Sequence, residues 1–82
     1  MTTDQQTEII SQLNDSLEFL QSEQSLNKPE KEDYRNELRS FLLEAISQTK
    51  KDDVEGLRGT LAKLEKISTS EFDFTSHIRK LL

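Results

Sequence analysis

The stretch Ile9-Ile10-Ser11-Gln12-Leu13-Asn14-Asp15-Ser16-Leu17-Glu18-Phe19-Leu20 decides the fold class. Ile9, Ile10, Leu13, Leu17 and Leu20 recur at steps of three and four, which gathers them on one helical face, while Ser, Gln, Asn, Asp and Glu fill the remainder. Upstream, Thr2 or Thr3 stands three residues before Gln5 or Gln6, the two halves of a capping box. A first helix is expected over about residues 4–24.

Working outward, Ser25-Leu26-Asn27-Lys28-Pro29 reads as a break, because proline cannot continue a helix interior but suits the first turn of the next one. The next apolar stripe is Tyr34, Leu38, Phe41, Leu42, Ala45 and Ile46. Glu30, Glu32 and Asp33 open it and Lys50-Lys51 close it, charges that complement the helix dipole at each end. The second helix is expected over about residues 29–49. Asp52 or Asp53 can cap a third, over about residues 53–67, with Val54, Leu57, Leu61 and Leu64 as its apolar seam. Gly56 and Gly59 each cost about 1 kcal/mol there relative to Ala. Ser68 and Glu71 form another capping box, with Thr69, Ser70 and Thr75 as alternative caps, ahead of Phe74, Ile78, Leu81 and Leu82. A fourth, short helix is expected over about residues 70–82.

No run of β-branched and aromatic residues suggests a strand, and no Asn-Gly or Asp-Gly hairpin turn occurs. With 82 residues the expectation is one all-α domain. Short connections imply a small antiparallel helical bundle of three long helices plus a short C-terminal helix. A long helical hairpin that dimerises is the alternative. The expected core is Ile10, Leu13, Leu17, Leu20, Leu38, Phe41, Leu42, Ala45, Leu57, Leu61, Leu64, Phe74 and Ile78.

Composition restricts function more than it identifies it. The chain carries 16 acidic and 11 basic residues, a net charge of -5, and its basic residues are interleaved with acids. That argues against a nucleic-acid binder, which needs clustered Lys and Arg to neutralise phosphates. Gly56-Leu57-Arg58-Gly59 matches the G-x-x-G clamp of one RNA-binding module, but Asp52, Asp53 and Glu55 precede it and no flanking strand is expected. There is no Cys and one His, His77, which reads as a surface residue of the last helix. The segment Lys50 to Gly56 lacks the alternating oxygen donors of a calcium loop and reads better as a helix cap. No cofactor, metal or small-molecule ligand is expected, and an enzyme is not. Asn14-Asp15-Ser16 matches a glycosylation sequon, which matters only in a secreted chain. The polar opening residues and the absence of a long apolar run lead to the expectation of a cytoplasmic protein without signal peptide or membrane span.

Three apolar residues fall off their helical stripes: Phe19, Leu43 and Phe72. A helix at the centre of a bundle can bury two faces, and single exposed apolar residues are common. The functional reading is that they mark a protein-binding or self-association surface. A small chain without disulfides has reason to gain stability by docking on a partner or a second copy, so a dimer is a plausible state. The expected function is that of a small intracellular interaction protein, an adaptor, inhibitor or assembly subunit. The second reading is an acidic neutralising protein of the immunity, antitoxin or nucleic-acid-mimic kind, which clustering of Asp and Glu on one exposed face would favour.

Overall fold

The computed structural model describes residues 1–24, 28–67 and 75–82. Helix α1 runs Thr3–Ser22, α2 Glu32–Lys50, α3 Val54–Ile67 and α4 Ser76–Leu81. A 3-10 turn, Pro29–Lys31, leads into α2, and no strand occurs among the described residues. The protein is a small antiparallel helical bundle of three long helices and a short C-terminal one. It is not the open helical hairpin, because α3 and α4 close over the α1–α2 pair.

The N-terminal capping box forms on Thr2. Its hydroxyl accepts from the Gln5 backbone N–H at 3.1 Å, and its own N–H donates to Gln5 Oε1 at 2.8 Å. Two otherwise unpartnered N–H groups are thereby satisfied. The rest of that carboxamide reaches further, since Gln5 Nε2 donates to the Leu81 carbonyl at 2.9 Å. Its neighbour Gln6 donates through Nε2 to the Thr49 carbonyl at 3.1 Å. Consecutive glutamines, about 100° apart on the helix, so tie the first turn of α1 to the last turns of α4 and α2. Both bonds join the start of one helix to the end of another, as antiparallel packing requires.

Helix α2 lies between α1 and α3 and packs on both. Tyr34, Phe41 and Gln48, spaced by seven, meet α3 in descending order. The Tyr34 hydroxyl donates to the Ile67 carbonyl at 2.7 Å, the Lys63 ammonium sits 5.8 Å from the Phe41 ring centroid, and Gln48 Oε1 accepts from the Thr60 hydroxyl at 2.7 Å. The order of partners sets an antiparallel register. Thr60 and Thr49 are buried, and each hydroxyl also lies within hydrogen-bond reach of the carbonyl four residues earlier, Gly56 and Ala45.

Between α2 and α3 the chain turns in three residues, Lys51, Asp52 and Asp53. The Asp53 N–H donates to the Gln48 carbonyl and the Asp52 N–H to the Thr49 carbonyl, the paired bonds of a Schellman motif. That motif needs a left-handed residue, and Asp52 supplies it at φ 57°. Aspartate tolerates this region better than most residues. Its carboxylate also pairs with the Met1 ammonium at 2.7 Å. Asp53 then caps α3, accepting from the Gly56 N–H at 3.0 Å. Of the two capping candidates, Asp53 caps and Asp52 makes the turn.

Helix α4 bridges α1 and α3. Besides the Gln5 bond, Arg79 forms a two-nitrogen ion pair with Glu65 on α3, and the Thr75 hydroxyl lies 3.4 Å from Glu65 Oε1. Ile78 is fully buried within the core cluster that includes Ile9, Leu13, Leu61 and Leu64.

Several expected boundaries shift. The second helix does not begin at residue 29, because Pro29–Lys31 coil as a tighter 3-10 turn, and it ends at Lys50. The first ends at Ser22 rather than 24, where Glu23 turns extended. The last helix begins at Ser76 rather than 70. Thr75 takes the cap position without a side-chain capping bond, and the Ser68–Glu71 box lies outside the described residues. In the core, Ile9 and Ile46 are buried, whereas Ile10, Leu17 and Phe41 are only partly so. Ile9 lies between the flanks marked by Gln5 and Gln6, midway between α4 and α2, and Ile10 is turned to the edge. Phe74 lies outside the described residues.

Two glycines in α3 have opposite surroundings. A Cβ on Gly56 would collide with the Asp53 carboxylate and come 2.9 Å from Gln48 Nε2, whereas one on Gly59 would meet nothing within 4 Å. Gly59→Ala is expected to raise stability by about 0.5–1 kcal/mol in urea unfolding, from reduced unfolded-state entropy and better helix propensity. Gly56→Ala is expected to lose that gain, because displacing the Asp53 cap costs about 1 kcal/mol. A larger gain at Gly56 than at Gly59 would contradict the capping geometry.

Burial, and secondarily the Glu37 carboxylate, push the Tyr34 phenol above its ordinary value. The unfolded chain therefore releases this proton at lower pH than the folded one. The associated stability is intact below about pH 10, the unfolded value, and is lost as pH rises through the higher folded value. Tyr34 is the sole tyrosine, so phenolate absorbance reports it directly. Tyr34→Phe is expected to cost about 1 kcal/mol at neutral pH through the lost bond to Ile67, and to flatten the fall in stability at alkaline pH.

Candidate functional site

Among the described residues the exposed large apolar side chains are Phe19, at 41% relative exposure, and Leu43, at 52%. Phe72 lies outside the described residues. Leu43 owes its position to the registry of α2. The Tyr34, Phe41, Gln48 line faces α3, Leu42 and Ile46 fill the core, and Leu43, two residues beyond Phe41, is turned about 200° away from α3. One turn earlier, Arg39 has its Nε buried with no hydrogen-bond partner. Phe19 belongs to a different flank. It is about 140° round α1 from Gln6, which marks the α2 side, and about 40° from Gln5, which marks the α4 side. The two side chains are displayed on separate flanks of the bundle.

A second feature lies on α1. Asp4, Glu8, Ser11, Asp15, Glu18 and Ser22 follow one another at alternating steps of four and three, so they form a single line along the helix. All six are exposed, and α1 contains no Lys or Arg. The acids are held apart from the core by the same periodicity that buries Ile9, Leu13 and Leu20. Elsewhere, acids and bases mix: α2 carries Arg35, Arg39 and Lys50 among its acids, and α3 carries Arg58, Lys63 and Lys66 beside Glu55 and Glu65. Helix α4 has the opposite bias, with Arg79 and Lys80 and no acid. The segregation is legible in the sequence as a line of acids and serines at alternating four- and three-residue steps.

The remaining candidates settle into structural roles. Gly56 and Gly59 lie in the first two turns of α3, so the G-x-x-G sequence forms no loop there and Gly56 instead gives room to the Asp53 cap. The Lys50 to Gly56 segment makes the Schellman turn and the cap. His77 is exposed on α4. No group of three His, Cys, Asp or Glu among the described residues is arranged to hold a metal ion. No described helix is long and apolar enough to cross a membrane.

Sequence reasoning missed the polar links between helices. Gln5, Gln6, Tyr34 and Gln48 each bridge two helices, yet a glutamine on a helix surface looks like any solvated residue. The signal available was positional only: Gln5 and Gln6 sit in a first turn, where an antiparallel neighbour presents its terminal carbonyls. No protein-family model matches the chain, and neither the curated proteins nor the solved structures contain a match to it.

Proposed function

We propose that the protein acts by binding another protein, as an adaptor, inhibitor or assembly subunit. The observation that carries this reading is Leu43, an aliphatic side chain more than half exposed on an otherwise well-sorted helix, with the unsatisfied Arg39 Nε one turn away. Exposed leucine contributes nothing to the core, and contact with a partner would remove it from water at a gain of about 25 cal/mol per Å². Self-association uses the same chemistry and stands as one form of the proposal. An intracellular setting belongs to this reading as well.

The double variant Phe19→Ser, Leu43→Ser tests it. Both positions are substantially exposed, so helix content is expected to persist, with most of the stability cost arising at Phe19. Assembly state in sedimentation, or binding to a partner captured from the native cell, is expected to be lost, and Leu43→Ser alone is expected to account for most of that loss. A double variant that keeps the parent's mass at every concentration and all of its interactions would refute the reading.

A second reading, an acidic protein that neutralises a basic target, is favoured specifically by the line Asp4, Glu8, Asp15 and Glu18. A single-sign line raises the encounter rate with an oppositely charged surface and penalises acidic competitors. Glu8→Lys with Asp15→Lys leaves the core untouched. Binding to a basic target is expected to weaken by about tenfold or more in this variant, and wild-type affinity to fall between low and physiological salt. Affinity indifferent to both changes would exclude the charged line from binding.

A further inference from the structure

The two exposed apolar side chains stand in frames of opposite charge. On α1, Phe19 borders the acidic line, with Asp15 one turn before it and about 40° round the helix, and Glu8 three turns before it and about 20° round. On α2, Leu43 has Arg39 one turn before it, about 40° round, and Lys50 two turns after it, about 20° round. Glu32 shares the α2 line, three turns before Leu43. Glu8, Asp15, Glu18 and Lys50 are exposed and Arg39 is half-buried. Among the described residues Asp15, Glu18, Arg39 and Lys50 enter no ion pair, and the Arg39 Nε is buried without a hydrogen-bond partner. Both faces thus carry charge that the fold itself does not neutralise.

Neither face suits a copy of itself as well as it suits the other. Two Phe19 faces would oppose acids with no cation between them. Two Leu43 faces laid antiparallel would set Lys50 between Arg39 and Glu32, where repulsion offsets attraction. The mixed pairing has no such conflict. With the helices antiparallel and Phe19 opposite Leu43, Lys50 falls about 10 Å along the axis from the apolar contact, between Asp15 at about 6 Å and Glu8 at about 16 Å. Arg39, about 6 Å to the other side, reaches the last turn of α1. That turn has no basic residue of its own, and its carbonyl end attracts a cation. Glu32 lies beyond Ser22, past the end of α1.

We propose that these faces dock on one another between copies of this chain, the Phe19 face of one antiparallel on the Leu43 face of the next. This rests on the protein-binding reading above and names a second copy as the partner. Because the two faces lie on separate flanks, the contact is heterologous: one copy uses its α1 face, the other its α2 face, and each keeps one face for a further copy. Assembly grows with concentration instead of stopping at a symmetric dimer. One apolar pair buries little area, so the contact is weak, and the charges set its direction and rate.

The test is sedimentation of the full chain from about 10 μM to about 1 mM at low salt, a range that spans weak affinities. The mass of the wild type is expected to rise steadily with concentration and to fall back at physiological salt. Leu43→Ser is expected to weaken association about tenfold or more. Two charge reversals carry the decisive comparison, Glu8→Lys with Asp15→Lys on the α1 face and Arg39→Glu with Lys50→Glu on the α2 face. Each alone is expected to stay monomeric, because its two faces then have the same sign. Mixed in equal amounts they are expected to associate, since native acids meet native bases and the reversed faces meet each other. Both variants keep a negative net charge, so no overall attraction drives the mixing. Circular dichroism checks helix content, and if Arg39→Glu disturbs it, Lys50→Glu alone serves as the α2 reversal. A mixture that remains monomeric overturns the proposal, as does a dimer lost with Leu43→Ser but kept by the α1 reversal, which would be a symmetric Leu43 contact. A wild type monomeric throughout, with a foreign protein captured from the native cell and released by Leu43→Ser, overturns the second copy and leaves the protein-binding reading standing. A monomer whose captured interactions ignore Phe19→Ser with Leu43→Ser overturns both.

Discussion

The last turn of any α-helix leaves carbonyls without an intrahelical donor, and among the described residues a neighbouring helix donates to such a carbonyl three times. Gln6 serves Thr49 of α2, Tyr34 serves Ile67 of α3, and Gln5 serves Leu81 of α4. Apolar burial alone does not specify how far one helix slides along another, since a stripe of leucines can pack at more than one offset. A hydrogen bond to a particular terminal carbonyl does. The three bonds give the bundle its registers, and the Gln5 carboxamide caps α1 and tethers α4 at once.

The position of α2 between α1 and α3 follows from how its residues divide. One line of seven-residue spacing, Tyr34, Phe41 and Gln48, meets α3 through three different interactions, a hydroxyl–carbonyl bond, a cation over a ring and an amide–hydroxyl bond. Leu38, Leu42, Ala45 and Ile46 fill the interior. With those faces occupied, Leu43 has nowhere to go but outward. Its exposure is thus a by-product of registry whose use, in the proposal above, is a contact with another protein.

Charge is sorted by element as well. The acids of α1 share one outward line, while α4 is basic and lies against α1 and Glu65. Electrostatic attraction between exposed groups is weak pair by pair, but a helix as short as α4 depends on every contribution it receives.

Much of this was legible beforehand. The three- and four-residue spacing of Ile9, Leu13, Leu17 and Leu20, the capping pair Thr2 and Gln5, the proline at 29 and the Asp52-Asp53 pair before Val54 are local signals, and each reports a local energy: one helical face, one cap, one break. They determined the number of long helices, their order and most of the core. The exact core line did not follow, because Ile9 or Ile10 becomes central only once α2 and α4 choose their sides of α1. The start of α2 was misplaced for a related reason, since a proline marks where a helix begins without stating whether its first turn is 3-10 or α. Which of Asp52 and Asp53 makes the turn depends on the last carbonyls of α2, and the difference between Gly56 and Gly59 depends on where the Asp53 carboxylate comes to rest. The sequence by itself determined the helices, because their periodicity and caps are contacts between residues a few positions apart. Only the tertiary structure decided the partners of Gln5, Gln6 and Tyr34, the exposure of Leu43 and the seat of α4, because those depend on groups brought together from distant parts of the chain.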